Sequence, residues 1–337
     1  MTMSASYGVE PAGYVAAREG AAVIERTDRA LVRVTGREPV KMIHGLVTND
    51  VAGAPDGAGV YALLLTPKGK MLADLRIFRR PDGLLLECAA AARSNVTDTM
   101  RKFVPPLFAR WAALDDHGVL GVYGPHAREV AGRALAVDLA DDVAEHAFVV
   151  APHAAGDVLI TRTRYAGVHG WDLLAPSPAL EPMRAALAEA GAVTAGLDAL
   201  DVLRMEAGRP RWGAELTEDV IPLEAGLRES AISEKKGCYT GQEVIIRILH
   251  RGHVNWQLRG MLLGEVEPPA PGTQLIDPSE GKKLARITSA VVSPRFGQTI
   301  ALGYARRELT LPAKLRLERA DGPEVTVVEL PFAKDTR

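Results

Sequence analysis

The stretch of this sequence best suited to chemistry is EKKGCYTGQE, residues 234–243, which holds one of only two cysteines. Thr240 and Glu243 have the spacing of a helix capping box, and an apolar run follows at once, so the pattern predicts a helix that begins here. Cys238 would then lie just outside the N-terminus of that helix, where free N–H groups and the nearby Lys236 favour a thiolate. The same residues also fit a tight turn that simply accommodates a small cysteine. The stretch alone leaves both interpretations open.

Familiar catalytic and ligand-binding motifs are missing from the rest of the sequence. There is no GxxxxGK[ST], GxGxxG, HExxH, CxxC or GxSxG pattern. His250 and His253 are separated by three positions, but two histidines without a third ligand favour a solvated basic patch over a metal site. We therefore predict no metal.

The composition is that of a soluble globular protein. The 337 residues are 47% hydrophobic and 24% charged, and the formal net charge is −2, so neither nucleic acid nor an anionic membrane is an expected partner. The two cysteines do not form a disulfide framework, and neither a signal peptide nor a membrane-spanning run is recognisable. We expect a cytoplasmic protein that acts as a monomer.

The elements that must position Cys238 divide into three regions. Residues 1–27 are small and polar and predict a loosely packed lead-in. Residues 28–250 mix strands and helices without strict alternation, which favours an α+β fold over a doubly wound parallel sheet. Within this region, 60–66 and 71–79 read as a hairpin, and Pro182 is expected to begin a helix. Residues 256–337 contain only short β-rich runs and predict a C-terminal antiparallel barrel or sandwich.

Several stretches together resemble the family of the glycine-cleavage T-protein, an aminomethyltransferase. The most specific is KGCYTGQE, residues 236–243, which is similar to the KGCYxGQE signature of the family's folate-binding Fe–S accessory branch, the YgfZ type. LRMEAGRP at 203–210, GAELTEDVIP at 213–222, the glycine turn at 165–172 and the turn at 68–75 support the resemblance.

The resemblance implies a fold and a cofactor. The family fold is a three-domain cloverleaf, with two intertwined α+β domains, here 28–250, and a C-terminal antiparallel β-barrel, here 256–337. Its central cavity binds tetrahydrofolate or a one-carbon derivative. The accessory branch supports assembly or repair of Fe–S clusters in client enzymes, including tRNA-modifying ones, so Fe–S clients or assembly proteins are the implied partners.

The resemblance also nominates site residues. A carboxylate can accept two adjacent N–H groups of a pterin edge, and three acids occupy matching positions: Asp74, Asp172 and Glu206. Trp171 could stack on the ring, or belong to the core. Arg204 could bind a folate carboxylate, or pair with Asp201 or Glu206, and for Glu206 structural pairing is preferred. From the signature, the sequence nominates Cys238, Lys236 and Tyr239 for chemistry and Gly237, Gly241, Gln242 and Glu243 for cofactor binding.

Departures from the transferase pattern direct the functional prediction. Ala73 precedes Asp74 where the transferases have a second acid, and Val168 stands where they have glutamate. We therefore predict a tetrahydrofolate-binding protein for Fe–S clusters that uses Cys238, with an aminomethyltransferase or a folate-dependent demethylase as the alternative. Docking through the basic residues of 247–259 is a further, weaker hypothesis. Cys88, within LLLECA, is expected to be a buried apolar residue.

Overall fold

A computed structural model describes residues 11–55 and 57–332 of the chain. Within these residues the α-helices are α1 (Pro11–Glu19), α2 (Pro39–His44), α3 (Arg93–Phe103), α4 (Ala127–Leu135), α5 (Ser177–Glu189), α6 (Leu197–Glu206), α7 (Arg228–Ala231) and α8 (Gln242–Arg251). The strands are β1 (Ala22–Glu25), β2 (Arg29–Thr35), β3 (Gly59–Leu65), β4 (Met71–Arg80), β5 (Gly83–Ala89), β6 (Arg110–Ala113), β7 (His117–Tyr123), β8 (Phe148–Ala151), β9 (Val158–Thr163), β10 (Gly170–Pro176), β11 (Val193–Ala195), β12 (Trp256–Gly264), β13 (Gln274–Ile276), β14 (Lys283–Ser293), β15 (Gln298–Arg306), β16 (Ala313–Leu317) and β17 (Glu324–Val328).

The first sheet has five strands in the order β3-β4-β5-β2-β6. Its central strand pairs are antiparallel, as the predicted hairpin of β3 and β4 requires. One face carries Ala73, Leu75 and Ile77 of β4, which pack in an apolar core with residues of α2 and α3. Because side chains alternate along a strand, Asp74, Arg76 and Phe78 lie on the opposite face. Cys88 belongs to the apolar core of this sheet, as predicted.

The second sheet has six strands in the order β11-β1-β7-β10-β9-β8. Its strand β1 lies within residues 1–27, so the prediction of a loose lead-in is wrong for the part of that segment the structure describes. β1 pairs parallel with β11 and antiparallel with β7. Ala22, Val23 and Ile24 are buried on both faces of the sheet. A four-residue strand without polar alternation gives little signal in the sequence.

The two sheets meet face to face. Their contact is a small apolar cluster to which each sheet contributes, formed by Leu31, Phe78, Leu85, Val119, Leu159 and Leu174. Asp74 lies on the same face of β4 as Phe78, and Asp172 lies on the same face of β10 as Leu174. Both acids therefore also face the space between the sheets. This geometry decides which side chains can share one site.

The C-terminal strands form a closed barrel in the order β12-β15-β14-β13-β16-β17. Its interior is filled by apolar side chains such as Met261, Leu275 and Ile287, each 0% exposed. The predicted α+β fold with a C-terminal antiparallel barrel is confirmed. The division of the chain at 28, 250 and 256 stays a prediction, as does the intertwining of two domains.

The prediction for the helix at Pro182 is wrong in its start. α5 begins at Ser177, with a proline already at the first or second helical position, so Pro182 lies inside the helix. A proline in the first turn has the φ that a helix needs and lacks only an N–H that would be unpaired there. None of the helices within the described residues is long and apolar enough to cross a bilayer.

Replacing Ile24 by alanine tests whether β1 belongs to the core. The side chain is 0% exposed and packs with Tyr123 and Leu203, so we expect Ile24→Ala to lower the free energy of unfolding by about 2–5 kcal/mol in urea denaturation. Val15 on α1 is 46% exposed and provides the control, because Val15→Ala removes two methyl groups from solvent. Equal stability of the two variants would contradict this account of β1.

Candidate functional site

A polar cavity lies between the facing sides of the two sheets. Its volume is about 100 Å³, and we call it the inner pocket. Its charged lining comprises Arg26, Arg29, Asp74, Arg76, Glu145, Asp172 and Arg209. Two of the three acids proposed for pterin binding, Asp74 and Asp172, therefore line one pocket although they are far apart in sequence.

Asp74 projects from β4 and is the acid with an unused acceptor. Its Oδ2 accepts a hydrogen bond of 3.3 Å from the Tyr61 hydroxyl on β3. Its Oδ1 is shielded from solvent and has no hydrogen-bond partner. A buried carboxylate oxygen without a donor is costly, and such exceptions call for an explanation. A ligand with N–H groups would supply the missing donor.

Asp172, on β10, is already held by the protein. Its Oδ1 accepts a hydrogen bond of 2.7 Å from the Tyr123 hydroxyl, which in turn accepts one of 2.8 Å from Arg26. Its Oδ2 lies 2.7 Å from Nη2 of Arg76, so the two side chains form an ion pair. The two groups are not aligned for a hydrogen bond, and this oxygen accepts none. Gly121, opposite Asp172 in the sheet, makes this possible, because a Cβ there would lie 2.2 Å from the Tyr123 hydroxyl.

Glu87 anchors the arginines beneath the inner pocket. It is 0% exposed, accepts a hydrogen bond of 2.6 Å from Arg29 Nε, and pairs also with Arg76. Burial alone would raise the pKa of Glu87, but the charges of Arg29 and Arg76 outweigh it and hold the pKa well below its ordinary value. Glu87 is therefore a fixed anion that orients Arg76 toward Asp172.

His146 adds a neutral wall to the inner pocket. Its backbone has a left-handed φ of 71°, its N–H donates to Arg162 of the six-stranded sheet, and its carbonyl accepts from Gly59 of the five-stranded sheet. The imidazole stacks on Tyr61 with ring centroids 5.8 Å apart, and its shielded Nδ1 has no partner. Burial and the charge of Arg76 lower the pKa of His146 to about 4, so the ring is neutral at neutral pH.

Sequence reasoning missed Tyr61, Arg76, Glu87 and His146. Arg76 could have been found, because it alternates with Asp74 on the same face of a predicted strand. Glu87 also follows the pleat of β5. His146 gave no signal, since it lies in an irregular segment and its unusual backbone angle is imposed by the strands on either side.

Three nominated residues lie elsewhere, in the core. Trp171 is 3% exposed and packs in the apolar core on the opposite face of β10 from Asp172, so it does not cover a ring in the inner pocket. Arg204 is 0% exposed and donates to Asp201, Glu215 and Ser289, each within 3.1 Å. Glu206 accepts from Tyr14 at 2.9 Å and from Ser293. Pairing within the protein, the alternative for Arg204 and the preference for Glu206, is what the geometry favours.

The signature segment 236–243 lies outside the inner pocket and supports it from one end. The buried Lys236 ammonium donates to the backbone carbonyls of His44, Val47 and Asn49. Burial lowers the pKa of Lys236 to about 8, and the ring of the buried Tyr239 lies 5.3 Å away. Lys236 and Tyr239 therefore have structural contacts that account for both.

The predicted capping box does not form. α8 begins after Gly241, which has a φ of 83°, and no side chain caps the helix. A Cβ on Gly241 would lie 2.6 Å from the carbonyl oxygen of Thr66, so only glycine lets the segment pack on the β3–β4 turn. Through this contact the signature braces the hairpin that carries Tyr61 and Asp74. Gly237, Gln242 and Glu243 do not line the inner pocket among the described residues.

Cys238 is exposed, in contrast to Cys88. It precedes α8 by four positions and is not among the described residues that line the inner pocket. Cys238, which the sequence nominates for chemistry, is therefore separate from the inner pocket, because Lys236 and Gly241 fix the segment to the far end of the hairpin. An exposed thiol is accessible to another molecule.

Replacing Glu87 by glutamine tests the buried charge cluster. The change leaves Arg29 and Arg76 without their shared anion, so we expect a loss of about 3–5 kcal/mol in the free energy of unfolding at pH 7. The pKa of Glu87 is lower in the folded protein than in the unfolded chain, so ionised Glu87 stabilises the fold at pH values above the ordinary glutamate pKa of about 4.3. This stabilisation is lost as the pH falls through the folded-state pKa of Glu87.

Urea denaturation from pH 7 to pH 3 measures the effect. The difference between wild type and Glu87→Gln should shrink below about pH 4. The control is Glu189→Gln, at an exposed position near the end of α5, which should change the free energy of unfolding little. A Glu87→Gln variant as stable as the control at pH 7 would contradict the role of the cluster.

Comparison with known proteins assigns the chain to a family. The model of the GCVT N-terminal domain matches residues 7–236. An aminomethyltransferase from Ralstonia pickettii is 28% identical, covering 99% of this chain and 92% of the relative. One from Saccharopolyspora erythraea is 29% identical, with 98% and 91% covered.

A solved structure shares the fold. The glycine cleavage system aminomethyltransferase T from Bartonella henselae superposes with a TM-score of 0.86 at 23% identity, covering 96% of this chain and 89% of that one. With the family model matching more than half of the sequence, the chain belongs to the GCVT family, whose aminomethyltransferase members use tetrahydrofolate.

Proposed function

We propose that this protein binds tetrahydrofolate, or a one-carbon derivative of it, in the inner pocket, with Asp74 as the anchor of the pterin ring. The observation that carries the proposal is the unpaired, buried Oδ1 of Asp74. The two other acids of the pocket have cationic partners, since Asp172 pairs with Arg76 and Glu145 lies 3.5 Å from Arg209. Asp74 is the acid left for a ligand.

The residues around Asp74 suit this role. A pterin edge presents adjacent N–H groups, which a carboxylate can accept together. Tyr61 fixes the other oxygen of Asp74, and its ring stacks with His146, so the wall of the pocket beside the acid is aromatic. Planar heterocycles pack favourably on such walls. The neutral His146 adds no charge that would compete with the ligand for Asp74.

Tetrahydrofolate supplies the nitrogen atoms that carry one-carbon units. The relatives named aminomethyltransferase support aminomethyl transfer to that cofactor as the activity. For this chain, Asp74 would hold the ring and the Arg76–Asp172 pair would keep the pocket polar and rigid. Asp74 would be the one pocket carboxylate that β4 supplies, because Ala73 lies on the opposite, core-facing side of the strand.

A second candidate function is support of Fe–S clusters in client enzymes, as in the YgfZ-type branch. The observation that favours it is the exposed Cys238 on a segment held by Lys236. One thiol cannot hold a cluster alone, because clusters normally take about four ligands. Cys238 would therefore act together with a client or assembly protein, tRNA-modifying enzymes among them. A cytoplasmic location and a monomeric state stay predictions.

Replacing Asp74 by asparagine tests the ligand site. Asparagine keeps the size of the side chain but loses the charge and one acceptor, so we expect tetrahydrofolate affinity to fall about 10- to 100-fold in anaerobic calorimetry. The exposed Asp138 provides the control, and Asp138→Asn should bind as wild type does. Unchanged affinity in a folded Asp74→Asn variant would remove Asp74 from the site.

Two assays separate the candidate activities. Aminomethyl transfer predicts methylene-tetrahydrofolate formation from an aminomethyl-loaded carrier protein, at a rate that Cys238→Ser leaves unchanged because the thiol lies outside the inner pocket. Support of Fe–S clusters predicts no turnover there, and lower activity of Fe–S enzymes in cells that carry Cys238→Ser. Normal Fe–S enzyme activity in those cells, with binding of tetrahydrofolate retained, would exclude the second candidate.

A further inference from the structure

His146 lines the inner pocket, and the proposed function leaves the nitrogens of its ring without a task. It lies in the segment between α4 and β8, and its imidazole stacks on Tyr61. Among the described residues none makes a hydrogen bond to this imidazole, and of its two nitrogens only Nδ1 is shielded from solvent. Buried polar groups normally have a partner, so an unpaired one beside a cavity needs an explanation.

The backbone holds His146 at the pocket in an unfavourable conformation. Its φ of 71° is in the left-handed region, which costs free energy for any residue with a side chain and occurs most often at functional sites. Its N–H donates to the carbonyl of Arg162 at 2.9 Å, and its carbonyl accepts from the N–H of Gly59 at 2.8 Å. Both sheets therefore fix this residue, and with it the place of its imidazole.

The surroundings decide which hydrogen bonds the imidazole can make. Burial and the positive charge of Arg76 lower the pKa of His146 to about 4, so at neutral pH the ring has one N–H group and one lone pair, on different nitrogens. Unpaired buried N–H groups are rarer in folded proteins than unpaired buried acceptors. The proton is therefore better placed on Nε2 than on the shielded Nδ1, and the ring offers an N–H donor to the cavity.

Asp74 and His146 then present opposite hydrogen-bonding groups to one ligand. A carboxylate accepts hydrogen bonds, and Oδ1 of Asp74 has no donor. Tyr61 connects the two residues, since its hydroxyl donates to Oδ2 of Asp74 at 3.3 Å and its ring stacks with His146. An acceptor and a donor on one pocket wall match a ring that has an N–H group beside a carbonyl. The oxo edge of a pterin has this arrangement.

We propose that His146 determines ligand specificity, with its Nε2–H donating a hydrogen bond to the ring carbonyl of the pterin while Asp74 accepts the neighbouring N–H groups. The inner pocket then selects an oxo pterin over an amino pterin, because an amino group in place of the carbonyl would present a second donor to the donor of His146. This inference rests on the proposed function, since it takes Asp74 to be the anchor of the pterin ring.

Two ligands test this proposal. They are tetrahydrofolate and its amino analogue, which has an amino group where tetrahydrofolate has the ring carbonyl, and their affinities are measured by anaerobic calorimetry on the full chain. His146→Phe keeps a planar ring beside Tyr61 but removes both ring nitrogens. We expect this variant to bind tetrahydrofolate about tenfold more weakly than wild type does, and to bind the amino analogue within about threefold of wild type.

Further variants separate the hydrogen bond from packing and folding. His146→Gln has an amide N–H near the position of Nε2, so it should bind tetrahydrofolate more tightly than His146→Phe does. Thermal unfolding verifies that each variant is folded. If His146→Phe does not fold, His146→Asn replaces it, because asparagine suits a left-handed φ and its amide is too short to reach the position of Nε2.

A matched histidine controls for the substitution itself. His126, at the start of α4, is exposed and does not line the inner pocket. His126→Phe should therefore bind both ligands as wild type does.

The nitrogen resonances of His146 test the same assignment in the wild-type protein. In ¹⁵N-labelled protein the chemical shifts of Nδ1 and Nε2 show which nitrogen carries the proton, and the resonances of His146 are those that the His146 variants lack. We expect the proton on Nε2 at neutral pH. We also expect the Nε2 resonance to move when the protein is saturated with tetrahydrofolate.

The outcomes distinguish the two proposals. If wild type does not bind tetrahydrofolate, the proposed function fails and the inference falls with it. If wild type binds tetrahydrofolate, but the His146 variants weaken both ligands equally or weaken neither, His146 is only a wall of the pocket and the inference is overturned while folate binding stands. A proton on Nδ1, or a Nε2 resonance that tetrahydrofolate does not move, would overturn it as well.

Discussion

Burying Glu87, Arg76 and Asp172 between two sheets costs solvation free energy that their mutual contacts must offset. The three side chains form a continuous path from β5 through β4 to β10, and so they connect the five-stranded sheet to the six-stranded one. Removing a single member would leave a buried charge without its partner. The path therefore constrains the distance between the two sheets. At this point polar groups hold the sheets apart, where apolar side chains would fill the space, and the inner pocket lies in the gap between them.

The same cluster explains why Asp74 differs from its neighbours. Arg76 and Arg29 are occupied by Glu87 and Asp172, and the structure leaves Asp74 with one long hydrogen bond from Tyr61. Buried acceptor atoms are normally paired, and the unpaired Oδ1 of Asp74 is the observation on which our ligand proposal rests. The fold thus separates acids that stabilise the pocket from the acid that is free to bind.

The signature segment contributes in a different way from the one its residue types indicate. Lys236 holds the carbonyl groups that follow α2, and Gly241 permits close packing on the β3–β4 turn. Both contacts support the hairpin on which Tyr61 and Asp74 lie, while Cys238 stays exposed. A single segment therefore supports the hairpin beside the inner pocket and also carries an exposed thiol.

Much of this protein could be predicted from the sequence alone. Strand alternation identified the β3–β4 hairpin, the short β-rich runs predicted the barrel, and local motifs indicated the family. These features depend on neighbours along the chain. The sequence did not predict β1, the outward position of Cys238 or the role of His146, and it left the burial of Trp171 and Arg204 open as one of two alternatives. Those depend on which faces of distant strands meet, since burial and ion pairing in this fold are decided by contacts between residues far apart in the sequence.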